Sequence, residues 1–119
     1  MYNYQISRAY RIECERAIVD FAAKFVKEMT GKGPRVVKAK ILEELIHIHF
    51  EGYLTDLEKS LLNSSNGVTL VEKIRNELHE VYKDDYLEQI RKILKKDVDF
   101  LHISRNPLED RAKVTIIIK

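Results

Sequence analysis

The chain has 119 residues, of which 45% are hydrophobic and 34% charged, a composition typical of one globular domain and not of a disordered chain. Twenty-one Lys and Arg against nineteen Asp and Glu give a formal charge of +2, which is too small to indicate a nucleic-acid partner by itself. The single cysteine, Cys14, excludes an internal disulfide framework and a multi-cysteine zinc module. We therefore interpret residues 1–119 as one domain.

The sequence contains no apolar segment of membrane-spanning length. Its longest aliphatic run is residues 116–118, far below the roughly 20 residues that a helix needs to cross a bilayer. The N-terminal residues 1–7 are polar, and no apolar core of signal-peptide length follows them. These features predict a cytoplasmic protein, peripheral to a membrane only through a partner.

The first predicted elements are one helix and one hairpin. Apolar residues recur every three or four positions over residues 7–30, which predicts an amphipathic helix with Ser7 as its N-cap and Gly31 as its C-cap. Glycine and proline interrupt this pattern at residues 31–34. Residues 35–41 and 45–51 then alternate between apolar and polar side chains, which predicts a β-hairpin with one buried face.

Two helix start signals follow the hairpin. Thr55 with Glu58 three residues later forms a capping box, and it predicts a short helix that ends within residues 63–67. Thr69 with Glu72 predicts the start of a longer helix. The apolar stripe of this helix drifts near residues 83–85, so one long helix and two abutting helices both fit.

The C-terminal part of the chain predicts two further strands. Residues 98–104 and 112–119 alternate and are rich in β-branched side chains, and residues 105–111 have the composition of a connecting loop. The predicted order is α-β-β-α-α-β-β. We expect an α+β fold of two layers, with the helices packed on one face of a mostly antiparallel sheet.

The polar side of the hairpin holds the candidate site residues His47 and His49. Side chains two positions apart on a strand share one face, so with Glu51 they present two imidazoles and a carboxylate, the ligand types that zinc prefers. The same residues fit the solvent face of a half-buried strand, and only His79 and His102 remain as further histidine ligands. We predict no metal site.

Lysines share this predicted face with the histidines. Lys38 and Lys40 lie on the first strand of the hairpin, and Lys113 and Lys119 lie on the last strand. A basic sheet surface binds RNA in some small α+β domains, but the aromatic residues on these strands, Phe50 and Phe100, do not form a visible stacking platform. We expect a ligand- or partner-binding face, with RNA as the alternative partner.

Lys32 is the remaining candidate site residue. It lies within residues 31–34, Gly-Lys-Gly-Pro, where backbone amides and one lysine can approach an anion. The segment lacks the length of a P-loop and its Ser or Thr, so it does not predict nucleotide hydrolysis. A helix stop followed by a strand start explains the same residues.

No group of residues predicts catalysis. Cys14 lies between Glu13 and Glu15, whose negative charges raise the pKa of a thiol and so do not activate it. No nucleophile has a histidine at a helpful spacing. We predict a protein that is not an enzyme and needs no cofactor.

Several motifs together resemble one family over nearly the whole chain. They are Gly-Lys-Gly-Pro-Arg-Val-Val-Lys at residues 31–38, Gly-Tyr-Leu-Thr-Asp-Leu-Glu-Lys-Ser-Leu-Leu at 52–62, Gly67 followed by Leu70-Val71 and Ile74-Arg75, the strand after Asp97, and Asp110-Arg111 before an aliphatic strand. In order and spacing they are similar to the MpsC-like family, some of whose members are associated with a Na⁺-translocating, membrane-potential-generating system.

The resemblance implies a soluble accessory or regulatory subunit of a cation-translocating membrane system. Such a subunit acts through protein–protein interaction, with a membrane transport protein as its partner. We also expect a homodimer, because the last strand carries isoleucine on both faces, with Ile116 and Ile118 on one and Ile117 on the other. A second copy of the chain is the commonest cover for such a face.

Overall fold

The computed structural model describes residues 7–119 of the chain. Its elements are α1 (Arg8–Thr30), β1 (Val36–Leu42), β2 (Leu45–Glu51), α2 (Asp56–Leu61), α3 (Gly67–Leu94), β3 (Val98–Asn106) and β4 (Arg111–Ile118), with one 3₁₀ turn, Pro107–Glu109, before β4. The predicted element order and the α+β class are confirmed. The prediction that no signal peptide begins the chain concerns residues 1–6, which lie outside the described residues.

Helix α1 has the caps that the sequence predicts. The Ser7 side chain accepts a hydrogen bond of 3.1 Å from the amide of Tyr10. Gly31 takes a left-handed conformation with φ of 84°, and its amide donates to the Lys27 carbonyl at 2.8 Å. Glycine suits this C-cap because it has no Cβ to clash at positive φ.

The four strands form one antiparallel sheet in the order β1-β2-β4-β3. β1 and β2 are the predicted hairpin, and their pairing runs from Val36 opposite Glu51 to Leu42 opposite Leu45. The C-terminal strand β4 lies inside the sheet, where it pairs with β2 on one side and β3 on the other. The hairpin, residues 36–51, and the C-terminal strand, residues 111–118, therefore lie side by side in one continuous sheet.

Both long helices pack against the same face of the sheet. Alternate strand residues supply this side of the core, and they are Ile41, Ile46, Ile48, Val98, Val114, Ile116 and Ile118. Helix α1 contributes Cys14, Ile18 and Ala22, and helix α3 contributes Leu87, Ile90 and Leu94. Because strand side chains alternate between faces, the odd-numbered residues of β2 and β4 are left on the opposite side.

The helical connection confirms one start signal and corrects the other. Thr55 caps α2 with the predicted capping box, in which both reciprocal hydrogen bonds with Glu58 are present. Helix α3 begins at Gly67, so the predicted start at Thr69 is wrong and Thr69 lies inside the first turn. The close approach of this buried glycine to α2 sets the start, and α3 then continues without a break through residues 83–85.

β3 is longer than predicted, β4 has the predicted length but begins one residue earlier, and the loop between them is shorter. β3 continues to Asn106, whose side chain accepts from the amide of Glu109 at 3.2 Å and so caps the 3₁₀ turn. Asp110 turns the chain into β4 with a φ of 54°. An irregularity between Phe100 and His102 leaves Leu101 unpaired and 52% exposed.

Candidate functional site

The sheet has one face that no helix of residues 7–119 covers, and we call it the open face. Two cross-strand rows occupy its centre. One row holds Lys38, His49, Lys113 and Ser104, and the other holds Lys40, His47, Thr115 and His102. The structure therefore brings four of the five predicted site residues together on this face.

Lysine charge on the open face is not neutralised. Lys38, Lys40 and Lys113 are exposed, and none of them forms an ion pair with another residue of the described chain. Lys38 and Lys113 lie on either side of His49 in one row, so two positive charges stand two strands apart. Such a surface favours an anionic or acidic partner.

The carboxylates at the margins of the open face already have hydrogen-bonding or ion-pairing partners. His49 Nε2 lies 2.9 Å from Glu51 Oε2, and the imidazole is the donor because an ionised carboxylate only accepts. This hydrogen bond, together with the charges of Arg111 and Arg35, holds the pKa of Glu51 below its usual value. Lys119 likewise pairs with Asp99 at 2.5 Å and lowers the pKa of that carboxyl.

One end of the open face is apolar. Leu42, Leu45 and Ile117 follow one another across three strands in a single row. Leu42 is 58% exposed, and the other two are half-buried. As predicted, Ile117 lies on the face of the sheet opposite to that of Ile116 and Ile118. The apolar part of the open face is this single row, whereas the lysines occupy two rows.

Lys32, the fifth predicted site residue, lies apart from the open face. It belongs to the connection between α1 and β1, and its Nζ donates to the carbonyl of Gly52 at 2.8 Å. The ammonium group thus ties this loop to the end of β2. The structure explains Lys32 as a structural residue of the loop.

The histidines do not assemble a metal centre. Within residues 7–119, no three His, Cys, Asp or Glu side chains converge closely enough to hold a metal ion. His49 is hydrogen-bonded to Glu51, while the buried Nδ1 of His47 has no hydrogen-bond partner among the described residues. The zinc alternative therefore lacks a third ligand in this part of the chain.

Aromatic side chains are directed away from the open face. Phe50 is buried on the helix side of the sheet. Phe100 lies with its ring centroid 4.6 Å from that of His79 of helix α3. The strands therefore offer no stacking platform for bases beside the lysines, although such platforms are the usual basis of single-stranded RNA recognition by a sheet.

A buried ion pair lies on the helix side, and sequence reasoning missed it. Arg75 donates from Nε and Nη2 to the two carboxylate oxygens of Glu58 at 2.7 and 2.6 Å, and from Nη2 to the Tyr53 carbonyl at 3.0 Å. Both charged residues are only 5% exposed. The available signal was the spacing of Val71, Arg75 and His79, which places two polar residues on the buried stripe of α3.

Asp110 connects this ion pair to the end of the sheet. Its Oδ1 accepts from the amides of Tyr53 and Leu54 at 2.8 and 2.9 Å. The motifs at residues 52–62, 74–75 and 110–111 are distant in sequence but meet in one hydrogen-bonded cluster. Their chemistry here is structural, since they fix the loop after β2 and the start of α2.

The fold and site define a small two-layer α+β protein with one open, basic sheet face. By its sequence the chain belongs to the MpsC family, whose model, described as Na⁺-translocating membrane potential-generating system (MpsC), matches residues 11–119. No curated protein and no solved structure matches the chain. None of the helices in residues 7–119 combines the length and hydropathy needed to cross a membrane.

Proposed function

We propose that this protein is a non-enzymatic accessory or regulatory subunit of a cation-translocating membrane system, and that it binds its partner through the open face. The observation that carries the proposal is the pair of rows containing Lys38, Lys40 and Lys113, whose charges are unpaired within residues 7–119. The family's link to a Na⁺-translocating system supports a membrane protein as that partner.

The chemistry of the open face specifies the partner surface. An apolar row next to unpaired lysines fits a protein patch that has an apolar centre and an acidic margin. The partner's contact surface therefore exposes Asp or Glu on the cytoplasmic side of the membrane. Binding weakens as salt concentration rises, because exposed charge pairs are screened.

RNA or another polyanion is the alternative partner. Its support is the same set of lysines, which can contact phosphates without reading bases. The direction of Phe50 and Phe100 toward the helices favours a protein instead. The two partners are distinguished by what removes binding: protease for a membrane protein, and nuclease for RNA.

Co-sedimentation with membrane vesicles tests the proposal. We expect the wild-type chain to bind saturably to vesicles from its own organism that have been stripped of peripheral proteins. Replacing Lys38, Lys40, His47 and His49 together with Gln should abolish this binding. The exposed Lys38 and Lys40 should each shift stability by about 0.5 kcal/mol or less. The half-buried His47 and His49 are replaced by a polar side chain, so we expect the variant to stay folded with a modest fall in its unfolding midpoint.

The matched control also removes two formal positive charges, but from the helices on the other side of the sheet. Lys24→Gln combined with Lys92→Gln changes exposed residues of α1 and α3 and should leave vesicle binding unchanged. Unfolding of the open-face variant would show that these residues belong to the folding core. Binding that survives protease treatment of the vesicles, or equal binding to protein-free lipid, would contradict a protein partner.

We propose in addition that the homodimer forms through α3. Exposed apolar residues run along one side of this helix, with Leu70 at 43%, Ile74 at 42% and Val81 at 67% exposure. Lys73 and Glu77 border the same groove. In an antiparallel pairing of two α3 helices, Lys73 of each copy lies near Glu77 of the other, so the surface is self-complementary.

Sedimentation velocity separates this arrangement from a dimer through the sheet. The wild-type chain is expected to sediment as a dimer, and Ile74→Lys as a folded monomer, because a buried lysine at the helix pairing has no partner. Ile117→Lys on the open face should leave the dimer intact. A wild-type monomer, or a dimer lost in Ile117→Lys but kept in Ile74→Lys, would contradict pairing through α3.

A further inference from the structure

A cavity of about 100 Å³ lies between α1, α3 and the helix side of the sheet. Its walls are mainly apolar and aromatic, and they include Phe25, Met29, Phe50, Tyr82, Tyr86 and Val114. An apolar cavity of about 150 Å³ holds benzene, and the present cavity is smaller but not fully enclosed, so a ring can extend into its opening. The cavity is separated from the open face by the sheet itself, so it is independent of the function proposed above.

Tyr53 contributes an unused hydrogen-bond donor to this cavity. The residue is 4% exposed and lines the cavity, and its hydroxyl has no hydrogen-bond partner within residues 7–119. Its position is fixed from both sides, because Asp110 binds its amide at 2.8 Å and the Arg75 guanidinium lies 5.0 Å from its ring centroid. Burial raises the pKa of Tyr53 to about 12, so the hydroxyl keeps its proton at neutral pH.

Arg105 adds a positive charge to the same wall. Its Nη1 donates to Asn76 Oδ1 at 2.5 Å and its Nη2 to the Arg75 carbonyl at 3.2 Å, and both acceptors are neutral. No carboxylate of the described chain forms an ion pair with it, whereas Glu58 neutralises the neighbouring Arg75. The Arg105 charge acts on the hydroxyls of both Tyr53 and Tyr86, whose pKa values it lowers against the larger effect of burial.

No carboxylate of residues 7–119 lines the cavity beside this cation, and Glu72 acts on it only at longer range, without an ion pair. His79 Nε2 and the Tyr86 hydroxyl share a hydrogen bond of 2.6 Å. Burial, followed by the charge of Arg105, lowers the pKa of His79, so the imidazole is neutral at pH 7. The cavity therefore combines apolar walls, one positive charge and one unsatisfied donor. A partly buried cation with neutral partners is stabilised when an anion enters beside it.

We propose that this cavity binds a small carboxylate with a compact apolar body, such as an aromatic ring acid. The ring occupies the space between Phe25, Phe50 and Tyr86. The carboxylate accepts from the Tyr53 hydroxyl and faces the Arg105 guanidinium. Neutral apolar molecules of the same size bind less tightly because they leave the hydroxyl and the charge unsatisfied.

Titration of the isotopically labelled full chain with benzoate, followed by NMR, tests this site. We expect saturable shifts of the amides of Tyr53, His79 and Arg105, and none on the open face. Tyr53→Phe should fold normally, because the hydroxyl makes no hydrogen bond, and should weaken benzoate binding about tenfold, as loss of a hydrogen bond to a charged group does. Arg105→Gln should weaken it at least as much.

One control changes the charge of the ligand and keeps its ring, and the other removes a positive charge from the protein outside the cavity. Benzylamine carries the same ring with the opposite charge and should not bind. Lys113→Gln removes one positive charge from the open face of β4 and should bind benzoate like the wild type. The proposal is overturned if benzoate gives no saturable shifts with the folded wild type, if benzylamine binds equally well, or if Tyr53→Phe retains full affinity.

Discussion

Replacing Arg75 with methionine is expected to destabilise the fold by about 3–5 kcal/mol, because it leaves the Glu58 carboxylate buried without a counter-charge. Arg75 supplies two hydrogen bonds to that carboxylate and one to the Tyr53 carbonyl, and both charged residues are 5% exposed. Urea unfolding followed by circular dichroism measures the loss. Lys92→Met, on an exposed position of the same helix, should change the free energy of unfolding by about 0.5 kcal/mol or less.

A double variant distinguishes the buried charge from the lost packing. Arg75→Met combined with Glu58→Gln removes both charges and should recover part of the stability lost in Arg75→Met alone. If the double variant is less stable than the single one by the full effect of Glu58→Gln, the two residues are not coupled. That result would contradict the ion pair as the source of the stability.

The same pair gives stability a defined pH dependence. Burial by itself raises the pKa of Glu58, but the hydrogen bonds from Arg75 and Thr55 outweigh it, so the pKa in the folded chain lies below the usual 4.5. A lowered pKa contributes stability that is fully present above the unfolded-state value and is lost as pH falls through the folded-state value. The wild type should therefore lose stability below about pH 4.5, and Glu58→Gln should lose less over the same interval.

Gly67→Ala is expected to cost about 3 kcal/mol, the upper range for overpacking. A Cβ at this position would overlap the backbone carbonyl of Leu61 and lie 2.9 Å from Leu62 Cα. Backbone cannot move aside as a flexible side chain can, so α2 and α3 would have to separate. Thermal unfolding measures the effect.

Gly33→Ala, in the connection between α1 and β1, provides the control. A Cβ there meets only the Lys27 side chain at 3.7 Å, which is ordinary van der Waals contact. The unfolding midpoint of this variant should stay close to that of the wild type. Equal losses in both variants would show that the contact with Leu61 does not determine the effect at Gly67.

The sequence predicted those elements whose signals are local. Caps at Ser7 and Thr55 were predicted correctly because each is a short pattern that satisfies backbone amides at a helix start. The hairpin was predicted correctly because its alternation leaves one buried face. Four of the five site residues were placed together for the same reason.

Helix α3 shows where local signals fail. Ile74 and Val81 belong to the apolar spacing of this helix, yet they are exposed, while Arg75 lies on the buried side. The buried side of the first half of the helix carries Gly67, Val71 and Arg75, and that of the second half carries Leu87, Ile90 and Leu94. Tertiary partners such as Glu58 decide this arrangement, and they are distant in the sequence.

The site itself depends on strand order. Lys113 joins His49 in one row only because β4 is inserted between β2 and β3. The sequence could place lysines on the polar face of β1 and of β4, but it could not show that only β2 lies between these two strands. The sequence placed Lys32 in the loop at residues 31–34, but it could not show the contact of Lys32 with the Gly52 carbonyl, because that contact depends on how the loop folds back.

Site-specific photo-crosslinking in intact cells tests most directly whether the open face contacts a membrane protein. A photoreactive amino acid at position 104, exposed next to Lys113, should crosslink to one integral membrane protein, and the crosslink should disappear when Lys38, Lys40, His47 and His49 are replaced with Gln. The same group at position 89, exposed on α3, should give no such product. Crosslinking of the same protein from both positions, or of RNA from position 104, would contradict the proposed role of the open face.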